Sequence, residues 1–253
     1  MIEIHHLNCV KIVSPINDNV CGHCILIREN DRMILVDAGI GLLDIADPNA
    51  RIGDELIKMV GYRFDESQTA YRQIEGLGLD PNKVTDCIIT HLDNDHTGGL
   101  ADFPNAIVHL SIEEWNSYQS GNARYLKAQL SHQPTIRTYD NGFQSSFLEL
   151  NVRPVNLGTE TEFYLVPLFG HTFGHCGVLI KTKEQCIFYV GDAYYMNVEL
   201  SDADHPVHQL AKLRAEDESL RLESLETIKK FIVRNPDVKV FAYHDIEEFY
   251  QLK

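Results

Sequence analysis

The sequence predicts a layered α/β domain, and three observations indicate it. Short apolar runs typical of strands alternate with capped or amphipathic segments typical of helices in both halves of the chain. At 253 residues the chain is long enough to bury one sizeable core. Metal-binding types of side chain follow several predicted strands, where open α/β sheets place their sites. We therefore expect a single domain over residues 1–253.

The first half begins with a predicted β-hairpin. Apolar runs at 24–27 and 33–36 flank the polar turn at 29–31, and the second run ends at Asp37. A helix is predicted over 65–77, because apolar side chains recur on one face and Gly78 ends the pattern. The other predicted elements of this half are strands at 84–90 and 106–110 and a short helix at 111–118.

The second half repeats this alternation. Its predicted elements are strands at 163–167, 176–181, 185–190 and 238–243 and a long helix with an apolar stripe at 220–232. The segments 121–146 and 196–215 show the weakest pattern, and we expect loops or lids there.

Acidic residues outnumber basic residues by 37 to 22, which gives a formal charge of -15. This balance argues against nucleic acid, which needs a basic face, and against an anionic membrane surface. No apolar run approaches the roughly 20 residues that span a bilayer, and the first residues lack the pattern of an export signal. We expect a cytoplasmic protein with six reduced cysteines and a small-molecule substrate.

The hexapeptide His91-Leu92-Asp93-Asn94-Asp95-His96 places four potential metal ligands in six residues, directly after a predicted strand. A strand end that opens into a loop lets these side chains converge, and the two glycines at 98 and 99 permit a tight backbone. Buried histidine and aspartate side chains cost free energy unless they are paired or bind a metal. The hexapeptide therefore predicts a metal site.

Three further predicted strands end in a residue that could bind a metal. His171, in the run Gly-His-Thr-Phe-Gly-His at 170–175, follows one strand, Asp192 follows the next and His244 follows the last. Because strand ends meet at one edge of an α/β sheet, we expect these side chains to lie near the hexapeptide. His175 comes four residues after His171, and we rank it below His171 as a ligand.

Taken in order, these four motifs resemble the signature of metallo-β-lactamase-fold proteins, with similarity to the lactonase and glyoxalase II branches. The resemblance runs from Asp37 to His244 and implies a four-layer αβ/βα sandwich with its site at one edge between two sheets. It also implies two divalent metal ions, with Asp192 bridging them. By the same resemblance, His91, Asp93 and His171 would bind the first ion, and Asp95, His96 and His244 would bind the second. We call these two sets of residues the first site and the second site. Asp37 would orient a ligand from behind.

Asp93 departs from the family pattern, in which most members have a second histidine at this position. An added carboxylate would make the first metal a weaker Lewis acid and the site a harder one. Zinc is the expected metal, and iron or manganese is the alternative. Flavodiiron proteins of the same fold also carry a carboxylate there, which leaves a di-iron redox or oxygen-handling protein as an alternative function.

The resemblance implies a metal-dependent hydrolase in which a hydroxide that bridges the two ions cleaves an ester or lactone bond of a small molecule. Tyr195 stands three residues after Asp192, where lactonases of this fold have a tyrosine that polarises the substrate carbonyl. Asp95 or a site water would pass a proton to the leaving group. Hydrolysis of a thioester or phosphodiester fits the same chemistry and stays an alternative.

Several residues have structural interpretations beside functional ones. The Cys21-Gly22-His23-Cys24 run spells a thiol-redox motif, but its second cysteine opens a predicted strand where a redox site would open a helix, so packing is the better interpretation. His23 and His132 could face the rim of the site. Whether Tyr194 or Tyr195 faces it, and which oligomer forms, stays open.

Overall fold

The computed structural model describes residues 2–14, 17–140 and 145–253, and these form two β-sheets with helices packed against them. The strands of the first sheet are β1 (Ile2–Ile12), β2 (Val20–Glu29), β3 (Arg32–Val36), β4 (Tyr62–Arg63), β5 (Val84–Ile88), β6 (Ile107–Ser111) and β7 (Thr135–Tyr139). They lie in the order β4-β1-β2-β3-β5-β6-β7. Strands β3, β5, β6 and β7 pair in parallel, so their carboxyl ends point the same way.

The second sheet is antiparallel except at one edge. Its strands are β8 (Ser145–Phe147), β9 (Leu150–Val155), β10 (Glu162–Pro167), β11 (Cys176–Lys181), β12 (Cys186–Tyr189) and β13 (Lys239–Phe241). Their order in the sheet is β13-β12-β11-β10-β9-β8. Strands β12 and β13 pair in parallel, which brings the loops after these two strands side by side.

The α-helices of the described residues are mostly short. They are α1 (Leu42–Ala46), α2 (Pro48–Arg51), α3 (Asp54–Val60), α4 (Ala70–Gly76), α5 (Asn94–Thr97), α6 (Ile112–Gln119), α7 (Val207–Arg214), α8 (Glu218–Arg234) and α9 (Ile246–Leu252). Side-chain caps begin several of them, as where Ser111 accepts a hydrogen bond from the backbone of Glu114 in α6. Among the described helices, none combines the length and apolar character needed to cross a membrane.

The second sheet buries both of its faces. Along β11 and β12, Val178 and Ile187 face an apolar core that includes side chains of both sheets, whereas Leu179 and Phe188 face α8. The rings of Phe188 and Phe231 lie 4.9 Å apart across the interface with that helix. Each such side chain contributes about 1.5–3 kcal/mol by leaving water, so the sheet is held firmly between two apolar layers. The predicted α/β class is confirmed.

Most predicted elements of the core form, while the weakly patterned regions contain more structure than expected. The predicted strand at 176–181 is β11, and the predicted helix at 220–232 lies within α8. The segments predicted as loops contain β7 and α7, which pairing with β6 and contacts with the rest of the fold stabilise. Part of the first of these segments, 141–144, lies outside the described residues. β1 was not expected, because paired histidines blur its alternation.

Candidate metal centre

Six buried side chains that could bind metals converge where loops of the two sheets meet. They come from the loop after β5 with α5, and from the loops after β10, β12 and β13. The backbone amide of Cys176 donates to the carbonyl of Thr90 at 3.0 Å, which ties the two sheets together beside this point. The six form two groups in which ligand atoms lie within 4.8 Å of one another: His91, His171 and Asp192, and Asp95, His96 and His244.

Asp192 belongs to the first group and also contacts histidines of the second. Its Oδ1 is 3.3 Å from His96 Nε2, and its Oδ2 is 3.4 Å from both His171 Nε2 and His244 Nε2. One carboxylate therefore faces histidines of the first and the second site at the same time. This is the position that a ligand shared by two ions needs.

Three of the four histidines in the two groups, His91, His96 and His244, hold one ring nitrogen against a supporting atom. His96 Nδ1 lies 2.8 Å from Asp37 Oδ2, His244 Nδ1 lies 2.9 Å from the carbonyl of Cys21, and His91 Nδ1 lies 3.0 Å from Thr90 Oγ1. These contacts fix the ring orientation and the tautomer. The Nε2 atoms of these three histidines are thereby directed toward the centre.

Asp37 is the support that the resemblance implies. Its carboxylate accepts hydrogen bonds from Thr90, through the backbone amide and the hydroxyl, and from the hydroxyl of Tyr189 at 2.7 Å, in addition to its contact with His96. The residue is fully buried and has a φ of 52°, in the left-handed region that aspartate tolerates better than most residues. Asp37 therefore orients His96 from outside the centre.

The donor set fits a pair of divalent ions. Three buried polar atoms that face the centre, His91 Nε2, His96 Nε2 and Asp192 Oδ1, have no hydrogen-bond partner among the described residues. Buried polar atoms without partners are rare, and metal coordination is one of the few ways to satisfy several at one point. Imidazole and carboxylate ligands together suit zinc and also accept iron or manganese.

Asp93 lies at the first site but is also bound by an arginine. Its Oδ2 is 3.3 Å from His171 Nε2 and 3.5 Å from His91 Nε2. Arg124 donates to both carboxylate oxygens, from Nε to Oδ1 and from Nη2 to Oδ2, each at 2.6 Å. This two-pronged pair is the geometry in which arginine binds a carboxylate most strongly.

The pairing with Arg124 changes the charge that Asp93 brings to the first site. The sequence predicts an additional negative charge there, and this was the reason to consider a weaker Lewis acid. Because a guanidinium stays protonated, the Asp93–Arg124 pair is neutral as a whole, like the histidine that it replaces in the family pattern. The charge argument for iron or manganese is thereby removed, while the argument from the oxygen donor remains.

Arg124 also touches a ligand atom of the first site. Its Nη2 lies 2.8 Å from His171 Nε2. That nitrogen has one lone pair, so it can accept a hydrogen bond from Arg124 or bind a metal ion, but not both. Metal binding at the first site therefore requires this contact to break.

A buried glutamate joins the hexapeptide loop to the loop of His171. Glu114, on α6, accepts hydrogen bonds from the backbone amide of Leu92 at 2.7 Å and from Thr172 Oγ1 at 2.6 Å. Burial raises the pKa of Glu114 to about 7 against the effect of these hydrogen bonds. The glutamate fixes the spacing between two segments that supply ligands to the first site.

The histidines of the two sites experience opposite electrostatic environments. Burial lowers the pKa of His91 and of His171, and Arg124 adds to this effect at His171. Burial also opposes protonation of His96 and His244, but Asp192 outweighs it and raises the pKa of both. A proton is a small cation, so these directions indicate a more negative potential at the second site.

Tyr195, and not Tyr194, faces the centre. The hydroxyl of Tyr195 lies 3.5 Å from His171 Nδ1, and its ring centroid is 5.3 Å from that of His244. Tyr194 turns away, because its hydroxyl donates to Glu248 at 2.9 Å. The question that the sequence left open is answered by these contacts.

The remaining histidines have structural surroundings. His175 lies 2.9 Å from the carbonyl of Leu168 through Nδ1 and accepts from the backbone amide of Asp192 at 3.0 Å through Nε2, so both of its ring nitrogens are occupied. His23 does not face the rim: it pairs with His6 at 2.7 Å and stacks on Phe241. His132 is half-buried, and no described contact joins it to either site.

The cysteines of the Cys-Gly-His-Cys run are packed within β2. Cys21 and Cys24 are both fully buried, and all six cysteines of the chain are free. Burial raises the pKa of both thiols, which keeps them protonated and unreactive. The packing interpretation of this run agrees with the structure.

Two arginines at the first site were not anticipated from the sequence. Arg124 comes from the weakly patterned segment 121–146, and Arg214 ends α7 within the segment 196–215. Arg124 Nη1 donates to the carbonyl of Arg214 at 2.6 Å, so the two segments meet over Asp93. No motif surrounds either arginine, and their only signal is that they are basic residues in an acidic chain.

Comparisons with known proteins place the chain in a family of metal-dependent hydrolases, which agrees with the candidate metal centre. The family profile described as "Metallo-beta-lactamase superfamily" matches residues 20–244. The chain is 30% identical to a probable metallo-hydrolase of Mycobacterium tuberculosis, over 99% of this chain and 82% of that protein. It is 23% identical to an N-acyl homoserine lactonase of Bacillus cereus, over 89% of this chain and 81% of that protein.

A solved structure has the same fold. It is an N-acyl homoserine lactone hydrolase with the product N-hexanoyl-L-homoserine bound at its catalytic metal centre. The TM-score is 0.74 at 18% sequence identity, and the match covers 100% of this chain and 96% of the other.

Proposed function

Because the chain belongs to the metallo-beta-lactamase superfamily and is a metal-dependent hydrolase, we propose that it holds two divalent metal ions and uses them to cleave an ester or lactone bond of a small molecule. The position of Asp192 carries this proposal, since its two oxygens face histidines of both sites. His91, Asp93 and His171 would hold the first ion, and Asp95, His96 and His244 the second. Zinc fits this mixture of imidazole and carboxylate ligands.

Two divalent ions held by these residues would lower the pKa of a bound water from 15.7 to roughly 7, and would so supply a nucleophile at neutral pH. The chain contributes orientation. The supports of His91, His96 and His244 hold each Nε2 toward the centre, so these three rings need little reorganisation when ions bind.

Tyr195 and Asp95 are the residues that we assign to the reaction itself. The Tyr195 hydroxyl, beside His171, is placed to donate to the oxyanion that develops when a carbonyl is attacked. Asp95 Oδ2 lies 3.6 Å from His244 Nε2, at the second site, where a carboxylate can pass a proton to the departing oxygen. Both roles are those expected for an ester or lactone.

The first experiment combines metal analysis with a substrate panel. Protein purified without chelator should contain close to two ions per chain by elemental analysis, because two groups of ligands are present. An N-acyl homoserine lactone, an aryl ester, a thioester and a phosphodiester should then be compared by kcat/KM, with the lactone or the ester fastest. Protein that contains no metal and cannot be reloaded with zinc, iron or manganese would end the proposal.

The two tyrosines provide a matched control for this experiment. Tyr195→Phe should keep both ions and lower kcat by roughly a hundredfold, as expected for the loss of one oxyanion donor. Tyr194→Phe removes a buried hydrogen bond to Glu248 and should lower stability by about 1 kcal/mol without a specific loss of kcat. Equal losses of kcat in the two variants would show that Tyr195 acts only through packing.

A further inference from the structure

Arg214 is a second cation at the first site, and its guanidinium has one long ion-pair contact there. Its Nη2 lies 3.8 Å from Asp93 Oδ2, and it donates no hydrogen bond to any of the described residues. Arg124, by contrast, places three of its nitrogens in hydrogen bonds with Asp93 and the carbonyl of Arg214. The five N–H donors of Arg214 are therefore available to another molecule.

Asp93 cannot fully neutralise both arginines. Arg124 already binds its two oxygens at 2.6 Å, whereas the contact with Arg214 is 1.2 Å longer than that. One carboxylate thus faces two guanidinium groups, so Asp93 neutralises Arg214 only in part. A partly buried charge of this kind is stabilised when an opposite charge binds to it.

The backbone fixes Arg214 beside the site. Its carbonyl accepts from Arg124, and the residues directly after it pair with the His171 loop: the amide of Glu216 donates to the carbonyl of His171, and that of Asp217 to the carbonyl of Gly170. The Arg214 side chain is 37% exposed, whereas Arg124 is 12% exposed. Arg214 is therefore held next to a ligand of the first ion and is still open to an incoming molecule.

With two ions and a hydroxide in place, the three aspartates and two arginines of the centre would leave it about two units positive. A centre with histidine in place of Asp93 and without arginines would be about one unit positive by the same count. The charges of Asp93 and Arg124 cancel each other, so the difference of one unit in net charge between the two centres is due to Arg214.

We propose that Arg214 determines substrate specificity by binding a carboxylate that the substrate carries close to its scissile ester or lactone bond. This inference rests on the proposed function, since it names a substrate class for the same site. A single guanidinium offers two parallel N–H donors, which match the two oxygens of one carboxylate. The substrate is then an anion, and the enzyme differs in this respect from a hydrolase of neutral lactones.

The test uses two lactones that differ in one group. In γ-valerolactone the ring carries a methyl group, and in the γ-lactone of α-hydroxyglutarate a carboxylate replaces that methyl. With zinc-loaded protein, kcat/KM should favour the carboxylate-bearing lactone by about tenfold to a hundredfold, the effect of one hydrogen-bonded charge pair. Arg214→Gln should reduce this ratio to near one, and Arg214→Lys should retain part of it, because lysine keeps the charge but not the fork.

Calorimetric binding of the ring-opened acids gives a readout that does not depend on turnover. The wild-type protein should bind α-hydroxyglutarate more tightly than γ-hydroxyvalerate by a similar factor, and Arg214→Gln should lose that difference while its metal content stays the same. A preference that persists in Arg214→Gln, or that is missing in the wild type, would overturn the role of Arg214. Protein that binds no metal would instead overturn the proposed function, so the two failures are distinguishable.

Discussion

The first and second sites share Asp192 but differ in what surrounds them. The first site has a neutral hydroxyl, that of Thr90, behind His91, and two arginines beside Asp93. The second site has the Asp37 carboxylate behind His96 and no arginine within ion-pair distance of its residues in the described part of the chain. A cation is therefore stabilised more strongly at the second site than at the first.

This difference indicates a division of roles between the two ions. The second site combines anionic support with buried imidazoles, which favours a tightly held ion. At the first site an ion must displace a contact between Arg124 and His171, so we expect weaker binding there. Arg214 lies on the same side, so the first site would also be the side that the proposed anionic substrate approaches.

The largest expected effect is the loss of metal when Asp192, the ligand shared by both sites, is replaced. Replacing His244, a ligand of one site, should have a smaller effect. Asp192→Ala should empty both sites and abolish activity, a loss beyond the roughly 10–100-fold typical of changes in supporting residues. His244→Ala should empty mainly the second site, because its Nε2 lies 3.6 Å from Asp95 Oδ2, a ligand of that site, and 3.4 Å from the shared Asp192. Elemental analysis after gel filtration measures both stoichiometries.

Asp192→Asn is the matched control, since it keeps the shape and removes the charge. It should retain more metal than Asp192→Ala and less than the wild type. If Asp192→Ala and His244→Ala lose one ion each in equal amounts, Asp192 belongs to one site only and the comparison between the sites fails.

The second effect is confined to the first site and concerns the Asp93–Arg124 pair. Asp93→His restores the common family ligand but leaves Arg124 unpaired next to two imidazoles. Breaking a largely buried pair in this way should cost about 3 kcal/mol of stability and reduce metal at the first site. Denaturant unfolding and metal stoichiometry together measure these losses.

Removing the arginine as well should reverse the loss. In the double variant Asp93→His with Arg124→Met, no unpaired charge remains, so stability and the second equivalent of metal should return toward the wild-type values. A single Asp93→His variant that binds two ions as well as the wild type would show that Arg124 does not offset the charge of Asp93.

The sequence predicts the ligands at the strand ends of this centre but not its arginines, and there is a physical reason for this difference. His91, His171, Asp192 and His244 could be expected together because each follows an apolar strand, and strand ends are brought to one edge by the sheets themselves. Arg124 does not follow a predicted apolar strand. Its position depends on how an irregular segment packs over Asp93, and no local pattern encodes that packing.

The same distinction applies to the fold. Strands such as β11 were predictable from a continuous apolar run, because both of their faces are buried. α7 and β7 were not, since α7 buries only Val207 and Ala211 and β7 has no fully buried residue. Elements that depend on a neighbouring element for most of their stability have a weak hydrophobic pattern in the sequence.

The smallest expected effect tests the support of the second site. Asp37→Asn keeps the size of the side chain and tolerates the positive φ of 52° at this position, so the backbone should be preserved. It removes the negative charge behind His96 and disturbs the acceptor for Thr90 and Tyr189. We expect the metal affinity of the second site to fall by about tenfold, the lower end of the range for a supporting carboxylate.

A chelator competition that resolves two metal-binding steps measures this change. The result depends on which of the two steps loses affinity. In the wild type the second site should bind first, and Asp37→Asn should bring the two steps closer together by weakening the tighter one. The weaker step should change less, because His91 is supported by the Thr90 hydroxyl rather than by a charge. If Asp37→Asn weakens both steps equally, the carboxylate acts by general stabilisation of the fold, and the two sites do not owe their difference to the charges behind them.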